Sequence, residues 1–204
     1  MVTEVQPYPV SVKGELSDSL SRWLWLVKWL LLIPHYFLLV FLWVAFVVVW
    51  VIAFFAILFT GKYPRGLFDF NVGVLRWTWR VGFYGYQALG TDEYPPFKLG
   101  AGGYPADLEV AYPERLSRGL VLVKWWLLAL PHYVVVSAFN GGLGPRYGGL
   151  VFLLVLFSGV VLLFTGKPHR DMFKLVLGLD RWTYRVATYG SLMTDSYPPF
   201  RLEE

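Results

Sequence analysis

The sequence predicts a membrane α-helical protein built from two tandem, parallel copies of one unit. The 204-residue chain is 56% hydrophobic and only 16% charged, whereas soluble domains are about a quarter charged. Between Trp23 and Thr60 the only acidic or basic side chains are Lys28 and His35, and this stretch is much longer than the roughly 20 residues that span a bilayer. The third observation is that the motifs of the chain occur twice in the same order.

Four motifs carry the internal repeat, and the first of them gains one residue in its second copy. With their second copies they are Leu26–Tyr36 and Leu122–Tyr133, Phe59–Lys62 and Phe164–Lys167, Arg76–Val81 and Arg181–Val186, and Tyr94–Phe97 and Tyr197–Phe200. The boundary falls in the glycine-rich segment Gly100–Gly103, which is typical of a flexible joint. We therefore expect repeat one over residues 1–99 and repeat two over residues 100–204.

Each repeat is expected to form a two-helix transmembrane hairpin. Repeat two contains the glycine-rich segment Ser137–Gly149, whose backbone groups cannot stay unpaired in hydrocarbon, so it predicts a turn. Transferred to repeat one, this turn falls near residues 41–45. The expected hairpin of repeat one covers about 22–60, and the expected transmembrane helices of repeat two cover about 118–137 and 149–165.

An alternative break at Pro34 would make the second helix of repeat one longer. Proline is tolerated inside spanning helices, because neighbouring groups satisfy the carbonyls that it frees. We therefore prefer a kink at Pro34 and at its counterpart Pro131.

An interfacial amphipathic helix is expected to follow each hairpin, over about 66–89 and about 171–192. In the first of these segments Asp69, Arg76, Arg80 and Gln87 recur at intervals of seven, four and seven residues, which places them on one helix face. Burying two arginines in mid-membrane is costly. The pattern therefore favours a helix that lies in the membrane interface.

Short cytoplasmic β-strands are expected at the ends of the repeats, because apolar and polar residues alternate there. These segments are Val10–Val12, Phe97–Leu99, Ala106–Val110 and Phe200–Leu202.

The run Leu58–Trp77, preceded by Ile33–His35 and followed by Tyr94–Phe97, resembles the bacterial membrane proteins grouped as domain of unknown function 4389. The resemblance covers nearly the whole chain, with one domain per repeat. Repeat two departs from the pattern at Lys167–Asp171 and in its inserted loop. The resemblance implies a bacterial integral membrane protein, and it brings no established activity.

The basic residues predict the orientation of the chain in the bacterial cytoplasmic (inner) membrane. Short cytoplasmic loops are rich in Lys and Arg, so a multi-pass protein with both termini in the cytoplasm is expected. The segment Met1–Gly14 has no arginine and does not lead into a short apolar core, so no cleavable signal peptide is expected. The basic residues outside the predicted turns are Lys62, Arg65, Arg76, Arg80, Arg115, Arg118, Lys167, Arg170, Arg181 and Arg185.

The titratable residues give little sign of catalysis. The chain has no cysteine, which excludes disulfides and thiolate chemistry, and its acidic residues do not converge with a histidine at the spacing of a hydrolase or metal site. Thr60–Lys62 has the Gly-Lys pair of a phosphate loop without its preceding glycines. A C-capping glycine followed by a lysine explains this motif better. We expect neither an enzyme nor a metal site.

His35 and His132 occupy equivalent positions in the two repeats, and both lie beside a proline. Facing each other across a pseudo-twofold axis, they would be candidate axial ligands of one haem. The structural alternative is that each imidazole binds the backbone carbonyls that the proline frees. This alternative needs no cofactor, and we prefer it.

The function expected from these patterns is a non-enzymatic membrane module that binds lipid, above all anionic lipid, or a membrane protein partner through its basic-aromatic cytoplasmic face. Homo-oligomers are compatible with this role, and nucleic acid is not an expected partner. One alternative is an accessory or anchoring subunit of a larger, for example redox, membrane complex. A small-solute transporter or channel ranks third, because the helices are almost without polar residues. The expected binding residues are Lys62, Arg65, Arg76, Trp77, Arg80, Lys167, Arg170, Arg181, Trp182 and Arg185.

Overall fold

The structure is a computed structural model that describes residues 8–141 and 149–203, and it is mostly helical. A 3-10 turn at Leu24–Leu26 precedes α1, and a π-helical segment at Lys124–Leu128 joins α4 to α5. The elements are β1 (Val10–Gly14), α1 (Lys28–Leu31), α2 (Ile33–Thr60), α3 (Arg65–Tyr84), β2 (Ala106–Val110), α4 (Leu120–Val123), α5 (Leu130–Asn140), α6 (Leu150–Thr165) and α7 (Arg170–Gly190).

The two strands, one from the start of each repeat, pair with each other as an antiparallel sheet. Val12 lies opposite Leu108 in this sheet, and the two residues hold the same position in their repeats. Equivalent strands that pair antiparallel about equivalent residues define a pseudo-twofold axis through that pair. The two tandem copies of the domain therefore meet around this axis.

The last helix of each repeat packs on the strand of the other repeat. α3 contacts β2, and α7 contacts β1. The equivalent residues Trp79 and Tyr184 meet edge to face between the two helices, with ring centroids 5.4 Å apart. The repeats are therefore interlocked, and each completes the core of the other.

The turn predicted near residues 41–45 is wrong, because α2 continues through this segment as a single helix of 28 residues. The five residues there are apolar and include neither glycine nor proline, so no residue type breaks the helix. The helix begins after a break at Leu32 and has Pro34 in its first turn, where a missing N–H loses no hydrogen bond. The alternative break at Pro34 is thus the one that the structure shows.

α5 and α6 form the interrupted counterpart of α2. His132 of α5 contacts Trp182 in the C-terminal half of α7, whereas Ser158 of α6 contacts Met172 near the start of α7. The two helices therefore follow each other along α7 and do not fold back as a hairpin. Most of the predicted turn, residues 142–148, lies outside the described residues.

α2 is, within residues 8–141 and 149–203, the one unbroken helix that is long and apolar enough to cross a membrane. Only 17% of its most apolar window is buried inside the protein, so most of its apolar side chains face outward. The segment Leu120–Asn140 passes the same test only as two helices bent by 41°. This bend lies next to Pro131 and confirms the predicted kink there.

The residue gained in repeat two lies in the π-helical segment Lys124–Leu128. A single inserted residue in an α-helix is commonly accommodated as one wide, π-helical turn. The insertion therefore widens this helix, and on either side of it Lys124 and His132 still make the contacts of Lys28 and His35.

The helices predicted over 66–89 and 171–192 correspond to α3 and α7, each of which ends a few residues earlier than predicted. The predicted glycine caps are confirmed, since Gly61 and Gly166 end α2 and α6 in the left-handed conformation. The strands predicted at Val10–Val12 and Ala106–Val110 are also confirmed. The strand predictions for Phe97–Leu99 and Phe200–Leu202 are wrong, because arginine side chains bind carbonyls in these segments.

The first helical segment of each repeat packs on the long helix of the other repeat with complementary side-chain sizes. Trp25 of repeat one is buried against Gly159 of α6, where a Cβ would lie 3.1 Å from the indole ring. The counterparts of these two residues are Val121 and Phe54, on elements α4 and α2, which are in contact. In the first contact the large residue, Trp25, lies on the first helical segment and the glycine lies on α6. In the second contact the smaller residue, Val121, lies on the first helical segment and the large residue, Phe54, lies on α2.

Replacing Gly159 with phenylalanine, the residue of repeat one, should destabilise the protein by on the order of 3 kcal/mol, because the ring enters the space of Trp25. Adding Trp25→Val, again the residue of the other repeat, should recover much of this loss. Thermal denaturation in detergent checks both variants. Equal melting temperatures for the single and double variants would contradict the proposed packing.

Candidate functional site

Arg76 and Arg80 of α3 lie against β2 of the other repeat. Arg76 donates hydrogen bonds to the carbonyls of Leu108 and Leu99, both at 2.9 Å. Arg80, which is 0% exposed, donates to the carbonyl of Gly100 at 2.9 Å. Both guanidinium groups form ion pairs with Asp107 of β2, at 2.8 and 3.3 Å. One carboxylate and several carbonyls thus neutralise and solvate two buried cations.

Arg181 and Arg185 of α7 occupy the same positions in repeat two with different partners. Arg181 donates to the carbonyl of Val12 in β1 at 3.1 Å. Arg185, which is 2% exposed, donates to the carbonyls of Arg201 and Glu203 near the C-terminus. The equivalent of Asp107 in β1 is a serine. The strand residue next to the arginines is therefore an acid in one cluster and a hydroxyl group in the other.

The predicted outward-facing arginine surface is wrong for Arg80 and Arg185, which are buried, and Arg76 is nearly so. A periodic polar face looks the same in a sequence whether it meets water, lipid headgroups or backbone carbonyls. In this fold the arginines of that face donate hydrogen bonds to backbone carbonyls of β1, of β2 and of the segments after Pro96 and Pro199. Arg80 and Arg185 are therefore enclosed by the protein, and the lipid-binding role predicted for these four arginines stays a prediction.

Trp77 and Trp182 lie in the interior with the two histidines. The indole N–H of Trp77 donates to Nδ1 of His35 at 2.9 Å, and that of Trp182 donates to Nδ1 of His132 at 3.1 Å. Phe97 stacks on the His35 ring at 4.0 Å between centroids, and repeat two repeats this stack with its own phenylalanine.

Each histidine is therefore enclosed by aromatic rings of its own repeat. Nε2 of His35 has no partner in hydrogen-bonding geometry, and the carbonyl of Pro95 is the polar group that faces it. Among the described contacts none joins His35 to His132, so the arrangement expected for a shared haem is not formed. No cluster of His, Asp and Glu that could hold a metal ion occurs within residues 8–141 and 149–203.

Two buried lysine–aspartate pairs were missed by the sequence interpretation. Lys28, buried at the start of α1, lies 2.9 Å from Asp92 and donates to the carbonyl of Thr91. Lys124 lies 2.6 Å from Asp195 in the same environment of repeat two. Each aspartate also accepts the backbone N–H of a serine that precedes the first helical segment. Both repeats have a Thr-Asp dipeptide shortly before their Tyr-Pro-Pro-Phe motif. This shared dipeptide was the one sign in the sequence that the aspartates have a common role.

Four basic side chains remain exposed at the turns that end the long helices. Lys62 and Arg118 lie at the α2–α3 turn, because Leu116 donates its N–H to the carbonyl of Gly61 and Arg118 lies against the same glycine. By the pseudo-twofold axis, Lys167 and Arg22 meet in the same way at Gly166. We call these two groups the basic turns.

The other two predicted binding residues near the basic turns are engaged. Arg65 pairs with Asp69 and lies over the ring of Tyr112, and Arg170 pairs with Asp18. In contrast, Lys62, Lys167, Arg22 and Arg118 have no ion-pair partner within the described part of the chain. These four cations are therefore available to an external anion.

The fold and the site define a mostly helical protein with two tandem copies of one domain, which carries an apolar helix of membrane-spanning length and basic residues at its polar end. The chain belongs to the DUF4389 family, a domain of unknown function, whose model matches residues 17–98 and again residues 122–201. This match confirms both the resemblance and the duplication. No curated protein and no solved structure matches the chain.

Asp107→Asn should destabilise the folded protein by about 3 kcal/mol, because it leaves two largely buried guanidinium groups without a carboxylate. Glu109→Gln on the same strand is the matched control. Its ion pair with Lys13, at 3.9 Å, is exposed on both sides, so the change should cost less than about 1 kcal/mol. Denaturation of the three proteins in one detergent measures the difference, and equal losses for the two variants would contradict the structural role of Asp107.

Proposed function

We propose that this protein is a non-enzymatic, membrane-embedded module that binds anionic lipid headgroups at its two basic turns. The observation that carries the proposal is that a lysine and an arginine of the other repeat lie close together at the glycine that ends α2, and again at the glycine that ends α6. None of these four residues has an ion-pair partner in the part of the chain that the structure describes. The proposal transfers the binding role from the arginines of α3 and α7 to Lys62, Arg118, Lys167 and Arg22. Lysine and arginine near a membrane surface attract anionic lipids.

The outward-facing apolar surface supports a membrane location. Large apolar side chains are exposed around most of α2 and along α5 and α6, and an apolar surface of this extent is unfavourable in water. α2 is longer than the hydrocarbon thickness requires, so it would tilt or extend into the headgroup region. In this proposal α2 and the α5–α6 pair replace the four hairpin helices as the membrane-embedded segments.

The composition of the basic turns supports a headgroup site. Phe59 and Phe164, in the last turns of α2 and α6, are 71% and 78% exposed, and Trp23 beside Arg22 is 67% exposed. Aromatic side chains next to lysine and arginine are typical of the boundary between hydrocarbon and headgroups. The lysine stems can lie along apolar surface while their amino groups reach a phosphate.

The pseudo-twofold axis relates the two basic turns, so a membrane normal along this axis would place both at the same surface. Positive residues favour the cytoplasmic side. We therefore place the basic turns and both termini on the cytoplasmic side of a bacterial inner membrane. Each headgroup would be held between the repeats, one at each turn.

Replacing Lys62, Arg118, Lys167 and Arg22 together with glutamine should reduce binding of phosphatidylglycerol by at least about tenfold, because each cation near the surface contributes on the order of 1 kcal/mol. Native mass spectrometry of the purified protein, titrated with phosphatidylglycerol and with phosphatidylcholine, measures the bound lipids. The wild type should bind up to two phosphatidylglycerol molecules in preference to phosphatidylcholine.

A control variant with the same change in net charge replaces four exposed basic residues away from the basic turns. Its binding of phosphatidylglycerol should remain close to that of the wild type. Equal losses in the two variants would show that only net charge matters, and unchanged binding in both would contradict a lipid site at the turns. The control residues are Lys13, Lys98, Lys174 and Arg201.

A further inference from the structure

Asp180 of α7 is an acid buried in the interior where the repeats meet. The residue is 0% exposed, and neither of its carboxyl oxygens has a partner in hydrogen-bonding geometry. The polar group that faces it is the amide of Gln87, which also interacts with the Tyr184 hydroxyl one turn along α7. A buried carboxylate without a cation is strongly unfavourable, so such a group tends to hold its proton.

Both Asp180 and Gln87 break the symmetry of the repeats. The residue equivalent to Asp180 in α3 is Leu75, which is buried among apolar side chains, so the fold does not require an acid at this position. Gln87 belongs to a stretch between α3 and Thr91 that is two residues longer than its counterpart in repeat two. Two independent differences between the repeats, the acid at position 180 and the longer stretch that contains Gln87, thus lie in contact with each other.

The backbone near Gln87 accommodates this amide specifically. A Cβ at Gly82 would lie only 1.9 Å from Oε1 of Gln87, so a larger residue there would displace the amide from its present position. Repeat two, which lacks the longer stretch, has alanine at the equivalent position, Ala187. The glycine and the glutamine are therefore a matched pair that presents the amide to Asp180.

The charged groups on the elements that pack against α7 are all directed elsewhere. α6 has no charged residue, and within residues 8–141 and 149–203 no hydrogen bond or ion pair joins either oxygen of Asp180 to a cation. Lys13 of β1 and Lys124 form ion pairs with Glu109 and Asp195. His132 of α5 accepts a hydrogen bond from Trp182, and Arg181 and Arg185 donate hydrogen bonds to the carbonyls of Val12 and Arg201.

We propose that Asp180, with Gln87 and Tyr184, is a proton-binding site that makes the association of the two repeats dependent on pH. When the repeats are closed the acid is neutral. When the proton leaves, the carboxylate must reach water or a cation, and this requires the repeats to separate locally. Gln87 also lines a groove of about 680 Å³ between α2 and α3.

Burial raises the pKa of the Asp180 carboxyl well above its usual range, and the Gln87 amide opposes this only in part. The sign of the effect on stability follows from this direction. Stability is highest at acid pH, where the folded and unfolded states both hold the proton. It falls as the pH rises from about 3.9, the usual carboxyl pKa, towards the raised pKa of the folded state.

The test is thermal denaturation of the whole protein in detergent from about pH 5 to about pH 9. The melting temperature of the wild type should fall as the pH rises, and Asp180→Asn should remove most of this slope. The control Asp171→Asn changes an exposed aspartate at the start of the same helix and should keep the slope of the wild type. Equal slopes for the wild type and Asp180→Asn would overturn the proposal.

Infrared difference spectroscopy gives a second readout that does not depend on comparing stabilities. Wild-type protein at neutral pH should show the band of a protonated carboxylic acid that Asp180→Asn and Asp180→Leu lack. If both variants fail to fold, the band is followed in the wild type labelled with ¹³C-aspartate, and it should vanish only at alkaline pH. Absence of the band from folded wild-type protein at neutral pH would also overturn the proposal.

Discussion

The pairing of β1 with β2 is the interaction on which the rest of the structure depends. Each strand belongs to one repeat, pairs with its counterpart from the other, and is covered by the last helix of that other repeat. A two-stranded sheet is marginally stable alone, and buried arginines are unfavourable without partners. The sheet and the arginines stabilise each other, because strand carbonyls accept hydrogen bonds from Arg76 and Arg181. Neither repeat can therefore complete its core without the other.

The chemistry of the protein concentrates where the duplication has become imperfect. Asp107 gives one arginine cluster a carboxylate from the strand, where the equivalent residue of the other strand is the serine Ser11. Asp180 places an acid where repeat one has a leucine, and the longer stretch after α3 brings Gln87 to it. Where the repeats agree, the shared residues mostly hold the structure together, as the Lys28–Asp92 pair and its counterpart do. The basic turns are the exception, since they are shared and still exposed.

The sequence predicted the features that follow from local rules. The duplication, the glycine caps at Gly61 and Gly166, the two strands and the approximate extents of α3 and α7 could all be inferred from short motifs. The hairpin could not, because a uniformly apolar segment contains no signal for where a helix turns. The burial of Arg80 could not either, since its partners are backbone carbonyls of the other repeat, distant in sequence. The contact of Gln87 with Asp180 is equally non-local.

The absence of cysteine makes the central claim, that the repeats are joined strand to strand, directly testable by disulfide formation. Ser11 and Glu109 are directly paired in the sheet and point to its accessible side, and paired residues lie within the roughly 4.4 to 6.8 Å that a disulfide spans. Lys13 and Glu109 are displaced by two residues and serve as the mismatched pair. We expect rapid intramolecular oxidation of S11C/E109C and much slower oxidation of K13C/E109C. Equal rates for the two pairs, or disulfides that form only between molecules, would contradict it.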